Sequence, residues 1–351
     1  MDTRQLLREL SEGTGVSGYE SKAIDILRNY AADIADEIRE DPLGNLLILK
    51  KGSGNQPRPK VMLAAHIDEI GLVVTKVESG GFLRFAPMGG VDQRVLPGQE
   101  VIVHGRRDLK GVIGAKPPHV QSPGESNEAY KMEDLYIDLG MSTEKANELV
   151  AVGDIVTFAR EMIDLQNQRL AGKAIDDRSG VAMMMEALRH LQYMDHVCDV
   201  YAVATVQEEV GLRGATVGTY GIVPDLGIAI DVGHGDMVGV PKADTIPLGK
   251  GPGIGYGPHV HPRIFDKLVE IAKEWNIDYS VEVSNRPGGT DAFAIQVSRA
   301  GVPTVLLSLP LRYMHTPVET LDWKDVEAGG RLLALFISQI TSDWVEGLRC
   351  F

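Results

Sequence analysis

The chain has 351 residues, with 49 Asp and Glu against 35 Lys and Arg and a formal net charge of -14 at pH 7. That balance excludes a nucleic-acid binder that works by displacing counterions, because such a protein needs a basic face. A hydrophobic fraction of 44% with 24% charged residues permits a sizeable core, while two distant cysteines, Cys198 and Cys350, exclude a disulfide framework and favour a reducing compartment.

The opening MDTRQLLRELSEG is charged and amphipathic, with no apolar stretch of signal-peptide length, and no run of the chain approaches a membrane span. A cytoplasmic location without a membrane partner is therefore the expectation. Leu6, Leu7 and Leu10 form a short helical stripe that Gly13, Gly15 and Gly18 break. Ser17 and Glu20, in capping-box spacing, predict a second helix carrying Ile24, Leu27, Ala31 and Ile34 on one face. DPLGN at 41–45 is turn chemistry leading into a strand at 46–50. VMLAAHIDE at 61–69 opens with a continuous apolar run, which suits a central strand buried on both faces.

From 71 to 163 the texture changes to short β-rich segments punctuated by glycine turns at 78–81, 88–90 and 96–98. GQEVIVHG and GDIVTFAR read as strands of a small barrel, with residues 127–149 left as a helical or irregular patch. After 163 a βα alternation resumes. It predicts helices at 179–190, 262–275, 291–297 and 323–344, and strands at 199–207, 225–231, 279–283 and 302–309. The expected architecture is a three-layer α/β/α sandwich formed by residues 1–70 and 164–351 and interrupted by a small β-barrel of residues 71–163.

Ligand-type residues recur at the ends of these strands, where an open α/β sheet places its sites. His66 and Asp68 in AAHIDEIG lie two apart and point the same way, so one can bind a metal while the other orients it; a lone buried histidine is more often hydrogen-bonded core. In GKAIDDRSG, Asp176 and Asp177 open a helix. Capping by one acid with an ion pair to Arg178 is the plainer reading, but two acids at one junction can also be divided between capping and metal binding. Glu208 and Glu209 end the apolar strand YAVATVQ, where paired carboxylates are costly unless cations or shared protons compensate. Adjacent side chains diverge, which allows one to bind metal and the other to face a water. Asp231 in AIDVGHG and His315 in LRYMHTPVET add a carboxylate and an imidazole, with His234 and Glu319 as competitors in the same motifs. This mixture suits a pair of divalent transition metals, zinc, cobalt or manganese, over magnesium or calcium.

The order H-x-D, D-D-R, E-E, D and H is joined by HIDEIG (66–71), GVIGAKPPH (111–119), AIDDRSG (174–180), VQEEVGLRGA (206–215), GGTDA (288–292) and LRYMHTPVE (311–319). Together they resemble the cytosolic tetrahedral aminopeptidases, the family of glutamyl, leucyl, lysyl and deblocking aminopeptidases, across essentially the whole chain. The resemblance implies that Asp176 bridges two metals, with His66 and Asp231 completing one site and Glu209 and His315 the other. It also implies Glu208 as general base and Asp68 as the residue orienting His66. The implied reaction is hydrolysis of the N-terminal residue from peptides with a free N-terminus by a metal-activated hydroxide, with two divalent ions per subunit, zinc or cobalt before manganese. The barrel is implied to be PDZ-like and to mediate dimerisation, with dimers assembling into a tetrahedral dodecamer. Phe293, directly after GGTDA, departs from the small residue expected there and would restrict substrate size if it lined the cavity.

The alternative is a related metallohydrolase on the same site, an N-deacylase or a dipeptidase. Glycosidases normally use two metal-free carboxylates flanking the bond, which disfavours an endoglucanase. Gly251, Gly253, Gly255 and Gly257 lack a GK[ST] or strand-turn-helix fingerprint, so nucleotide binding is rejected. The run Met183, Met184, Met185 reads as core packing, and His119 is singled out only by its motif.

Overall fold

A computed structural model describes residues 2–122, 128–285 and 288–348; Cys350 and Asn127 lie outside the described residues. Helices α1 (Thr3–Glu12) and α2 (Ser21–Ala31) lead into strands β1 (Glu37–Glu40), β2 (Leu46–Lys50) and β3 (Lys60–His66). Then come β4 (Gly71–Val77), β5 (Leu83–Met88), β6 (Glu100–His104), β7 (Asp108–Gly114) and β8 (Tyr136–Asp138), followed by α3 (Thr143–Leu149) and β9 (Ile155–Phe158). Next are β10 (Ile163–Asp164), β11 (Arg169–Gly172), α4 (Ile175–Leu191), β12 (Asp199–Thr205), α5 (Arg213–Ile222) and β13 (Leu226–His234). The remainder comprises β14 (Gly253–Tyr256), α6 (Pro262–Glu274), β15 (Ser280–Val283), α7 (Asp291–Gln296), β16 (Thr304–Leu311), β17 (Glu319–Asp322), α8 (Trp323–Gln339) and α9 (Ser342–Glu346).

One sheet of eight strands runs in the order β1-β2-β12-β3-β13-β16-β14-β15. Its centre, β12, β3, β13 and β16, is parallel. The apolar run that begins at Val61 is buried throughout β3, as parallel strands covered by helices on both faces require. Period-two alternation divides that run between the faces. Val61, Leu63 and Ala65 pack with Leu6, Leu27, Leu188 and Phe336, whereas Met62 and Ala64 pack with Ala215 and Ile295. Helices α1, α2, α4 and α8 thus cover one side, and α5 and α7 the other. The methionine run 183–185 is wholly buried in the first of these layers.

Strands β4, β5, β8, β7, β6 and β9 close an antiparallel barrel, with a core of its own built from alternating positions such as Leu83 and Phe85, or Val101 and Val103. The helical or irregular patch expected at 127–149 contributes a barrel strand, β8, and helix α3. Three further departures have local causes. Ser17 does not cap α2, because its hydroxyl donates to Asp68 instead. The last helix divides at Ile340, where extended backbone separates α8 from α9. Part of the glycine-rich segment is strand β14, paired with β15 and β16. Among the described residues no helix is long and apolar enough to cross a membrane.

Candidate active site

Parallel strands end on one edge of a sheet, and this edge gathers the chemistry. His66 terminates β3, in register with Thr205 at the end of β12, after which come Glu208 and Glu209. Asp231 lies near the end of β13, opposite Ser308 of β16, and His315 follows that strand. Asp176 enters from the start of α4, whose first residues, Asp176 and Asp177, have non-helical backbone angles. The Asp176–Asp177 peptide is cis. Non-glycine residues in the left-handed region cluster beside the site at Ala174, Gln207, Tyr313 and His315; such conformations persist only where the surroundings impose them.

The side chains converge as two groups that share Asp176. His66, Asp176 and Asp231 form one; Asp176, Glu209 and His315 form the other, and within each group the donor atoms lie within 4.8 Å of one another. His66 Nε2 is 3.1 Å from Asp176 Oδ1, while His315 Nε2 is 3.3 Å from Asp176 Oδ2 and 3.4 Å from Glu209 Oε1. Glu208 belongs to neither group but places Oε2 3.9 Å from His66 Nε2.

The imidazoles are held in one tautomer by backbone oxygen. A carbonyl can only accept, so His66 Nδ1–H donates to Asp68 O at 3.2 Å and His315 Nδ1–H donates to Gly90 O at 3.0 Å. Nε2 of each ring is thereby turned to the shared aspartate, as a metal-ligating histidine is oriented. The Asp68 carboxylate lies 3.5 Å from the same His66 nitrogen, and it also accepts from the amides of Glu208 and Glu209 at 3.0 and 3.2 Å. The paired acids of the DDR motif are divided: Asp177 accepts from the His66 and Gly180 amides, leaving Asp176 for the two groups. Arg178 does not pair with Asp177 but with Glu69.

Burial sets the electrostatics. It pushes the Glu208 carboxyl up to about 9 and, with the Asp176 charge adding to it, Asp231 well above its ordinary value. Hydrogen bonds to Asp176 and Glu209 raise His315 to about 11. For Asp176, burial opposes ionisation, but the His315 and His66 contacts outweigh it and hold the carboxyl below its usual range. Acids packed this densely need positive charge beside them. One imidazole and two carboxylates in each group, with both Nε2 atoms turned to the shared aspartate, is a donor set that fits a divalent transition cation in each once Nε2 is deprotonated.

A cavity of about 350 Å³ opens over both groups and is also lined by Gly233, His234, Glu282 and Thr290. His234, a competitor to Asp231, lines this cavity but joins neither group. Phe293 is exposed and is not among the cavity-lining residues, and His119 is exposed on a short 3-10 turn of the barrel loop. Glu319 proves to be a brace: its carboxylate accepts from the amides of Ile175, Asp176 and His315 at 2.7, 3.0 and 2.8 Å, tying together the segments that carry Asp176 and His315. Sequence reasoning missed Gly90, whose carbonyl comes from the barrel, and the buried Asp291, which accepts from Thr205 at 2.5 Å. The glycine pair 89–90 and the GGTDA motif were the only signals for them.

The M42 glutamyl aminopeptidase family model matches residues 44–332. The chain is 39% identical to the lysyl aminopeptidase of Pyrococcus furiosus over 342 residues, which cover 96% of this chain and 97% of that one. Among solved structures, an aminopeptidase from the archaeon Desulfurococcus kamchatkensis superposes with a TM-score of 0.92 at 38% identity, covering 99% of this chain and 98% of its own. A Pyrococcus horikoshii TET1 peptidase that can assemble into a tetrahedron or a large octahedral shell superposes with a TM-score of 0.84 at 33% identity, covering 97% and 100%.

Proposed function

The chain belongs to the M42 glutamyl aminopeptidase family, and we propose that it hydrolyses the N-terminal residue from peptides with Glu208 as general base beside two divalent cations. The observation that carries this reading is the pair of ligand groups sharing Asp176, with Glu208 next to them and outside both. His66 and Asp231 would complete one cation site, Glu209 and His315 the other, and the mixed imidazole and carboxylate donors favour zinc or cobalt, with manganese also suited. Cations bound there would supply Lewis acidity that acidifies water and polarises a carbonyl.

The chain's own residues do the rest. Glu208 takes a proton from the attacking water and returns it to the leaving amine; burial makes its carboxylate a better acceptor than a solvated glutamate. Asp68 holds the backbone of Glu208 and Glu209 and orients His66, so the base and one ligand share a support. Residues 71–163 act in this reading as the dimerisation unit, residues 1–70 and 164–351 as the catalytic unit, and dimers assemble into a tetrahedral dodecamer.

An aminoacyl-anilide panel tests the activity. Unblocked substrates should be cleaved, a chelator should abolish cleavage, and zinc or cobalt should restore it. Cleavage of acylated substrates with none of the unblocked ones would instead identify an N-deacylase. Sedimentation velocity tests the assembly, and a protein that remains a monomer or dimer would sink the dodecamer.

A further inference from the structure

The residues of the predicted capping box are employed elsewhere. Ser17 and Glu20 precede α2 with the expected spacing, yet neither side chain caps the helix. Ser17 Oγ donates to Asp68 Oδ2 at 2.6 Å, and Glu20 Oε1 accepts from the amides of Gly18 and Gln207 at 2.6 and 3.1 Å. Gln207 stands 187 positions further along the chain and directly precedes Glu208.

Glu20 is thereby one of three side chains that hold the turn after β12. Asn45 Oδ1 accepts from the Val206 amide at 3.0 Å, Glu20 from Gln207, and the two oxygens of Asp68 from Glu208 and Glu209 at 3.0 and 3.2 Å. Four successive amides are thus taken by buried side chains from the loop before α2, the turn before β2 and the segment after β3. The carbonyls of the same stretch are met by backbone: Val206 O accepts from Gly214, Gln207 O from Arg213 and Glu208 O from Leu212. Within this clamp Gln207 has a φ of 56°, a left-handed conformation that a side-chain-bearing residue keeps only where its surroundings impose it. Without the Glu20 oxygen the Gln207 amide loses the side chain that holds it, and the residue that sets the direction of Glu208 can relax toward an ordinary conformation. A displacement of about 1 Å at a reacting group, caused from a distance, is enough to cost about 100-fold in rate.

We propose that Glu20 is a positioning residue for Glu208, acting through the Gln207 amide to fix the turn from which the base projects. It belongs to neither ligand group and does not line the cavity over them. The proposal rests on the aminopeptidase reading above, with Glu208 as base.

The metal-loaded enzyme and its Glu20 variants are assayed on the best-cleaved aminoacyl p-nitroanilide, with metal content measured on the same samples. Glu20→Ala should retain the wild-type metal content and KM while kcat falls about 10–100-fold. Glu20→Gln keeps an oxygen for the two amides without the charge and should recover most of the kcat that alanine loses. Wild-type kcat in the alanine variant, a loss that appears in KM or metal content instead, or a glutamine variant no better than alanine overturns the proposal. Should the alanine variant not fold, Glu20→Asp keeps a carboxylate but withdraws the acceptor by one methylene; its kcat should fall at unchanged KM, and a wild-type kcat there overturns the proposal as well. Cleavage of no anilide by wild type, or full turnover by Glu208→Gln, is a different result and refutes the reading on which the proposal rests.

Discussion

Asp68 and Glu208 are joined by a hydrogen bond of 3.0 Å from the Glu208 amide to Asp68 Oδ1. The other carboxylate oxygen accepts from the Glu209 amide and, at 2.6 Å, from the Ser17 hydroxyl. Burial opposes the charge, but the His66 ring, Ser17 and the Glu208 amide outweigh it and keep the Asp68 carboxyl below its ordinary range. An ionised Asp68 therefore acts as an all-acceptor hub. Asp68→Asn turns one acceptor into a donor facing N–H or O–H groups, and activity or metal affinity should fall about 10–100-fold with the fold intact by circular dichroism. Full activity in that variant would refute the hub.

Glu208→Gln separates base from ligand. The variant should retain the wild-type metal content by plasma emission analysis while kcat drops by about 10²–10⁴-fold. A variant that turns over at the wild-type rate would remove Glu208 from the mechanism, and one that loses metal would make it a ligand.

Gly90 lies in the barrel loop yet touches the opposite unit of the fold. A Cβ there would stand 2.5 Å from His315 Nδ1 and 2.8 Å from Cε1. The φ of Gly90 is not among the positive ones, so alanine fits its backbone and the clash with the imidazole is the whole effect. Gly90→Ala should lower metal affinity at the Glu209 and His315 group and reduce kcat/KM at least roughly tenfold. Unchanged metal binding by calorimetry would mean that His315 yields without consequence.

Which of these relationships the sequence displayed follows from their range. Strand ends were legible because β3, β12, β13 and β16 are apolar runs, with His66 closing β3, Glu208 and Glu209 following β12, Asp231 near the end of β13 and His315 following β16; which acids and imidazoles form the two groups came from the resemblance and not from the strands. The barrel strand β8 was not legible, since three residues among turns carry too little alternation. Nor was α5, whose face is made of glycine and alanine packed against Val203 and Met62. Contacts such as Ser17 to Asp68, Gly90 to His315 and Glu319 to Ile175 join residues 51, 225 and 144 positions apart. Side-chain periodicity is local, and it cannot report such closures.

Metal uptake should release protons. Without a cation His315 Nε2 sits between Asp176 and Glu209, whose hydrogen bonds raise it to about 11 from an ordinary 6.5. A raised pKa favours the protonated form in the fold. Its contribution to the stability of the metal-free protein is complete below about pH 6.5 and is lost as pH climbs through about 11. A divalent cation bound by His315 would have to displace that proton, so apparent affinity should rise with pH across this window. Titration calorimetry in two buffers of different ionisation enthalpy at pH 7 should show buffer-dependent heats; identical heats would rule out the protonated imidazole.

Behind the site, Glu69 is flanked by two buried cations, with Lys173 Nζ 2.6 Å from Oε2 and Arg178 Nη2 3.3 Å from Oε1. The Gly15 amide donates to the same carboxylate at 2.9 Å. Lys173 and Arg178 each donate to Gly13 O, and Arg178 also to Ile67 O and Leu10 O, so the network fastens the loop after α1 to the end of β3. Burial disfavours the Glu69 charge, but Lys173 and then Arg178 reverse the balance and hold its carboxyl below the usual range. Removing the anion strands two cations in a site that water does not reach. Glu69→Ala should therefore destabilise the protein by about 3–5 kcal/mol, read as a lowered urea midpoint at unchanged slope. Activity should fall too, because Ile67 lies between the site residues His66 and Asp68. A loss below about 1 kcal/mol, the range of an exposed pair, would show that solvent enters and screens the network.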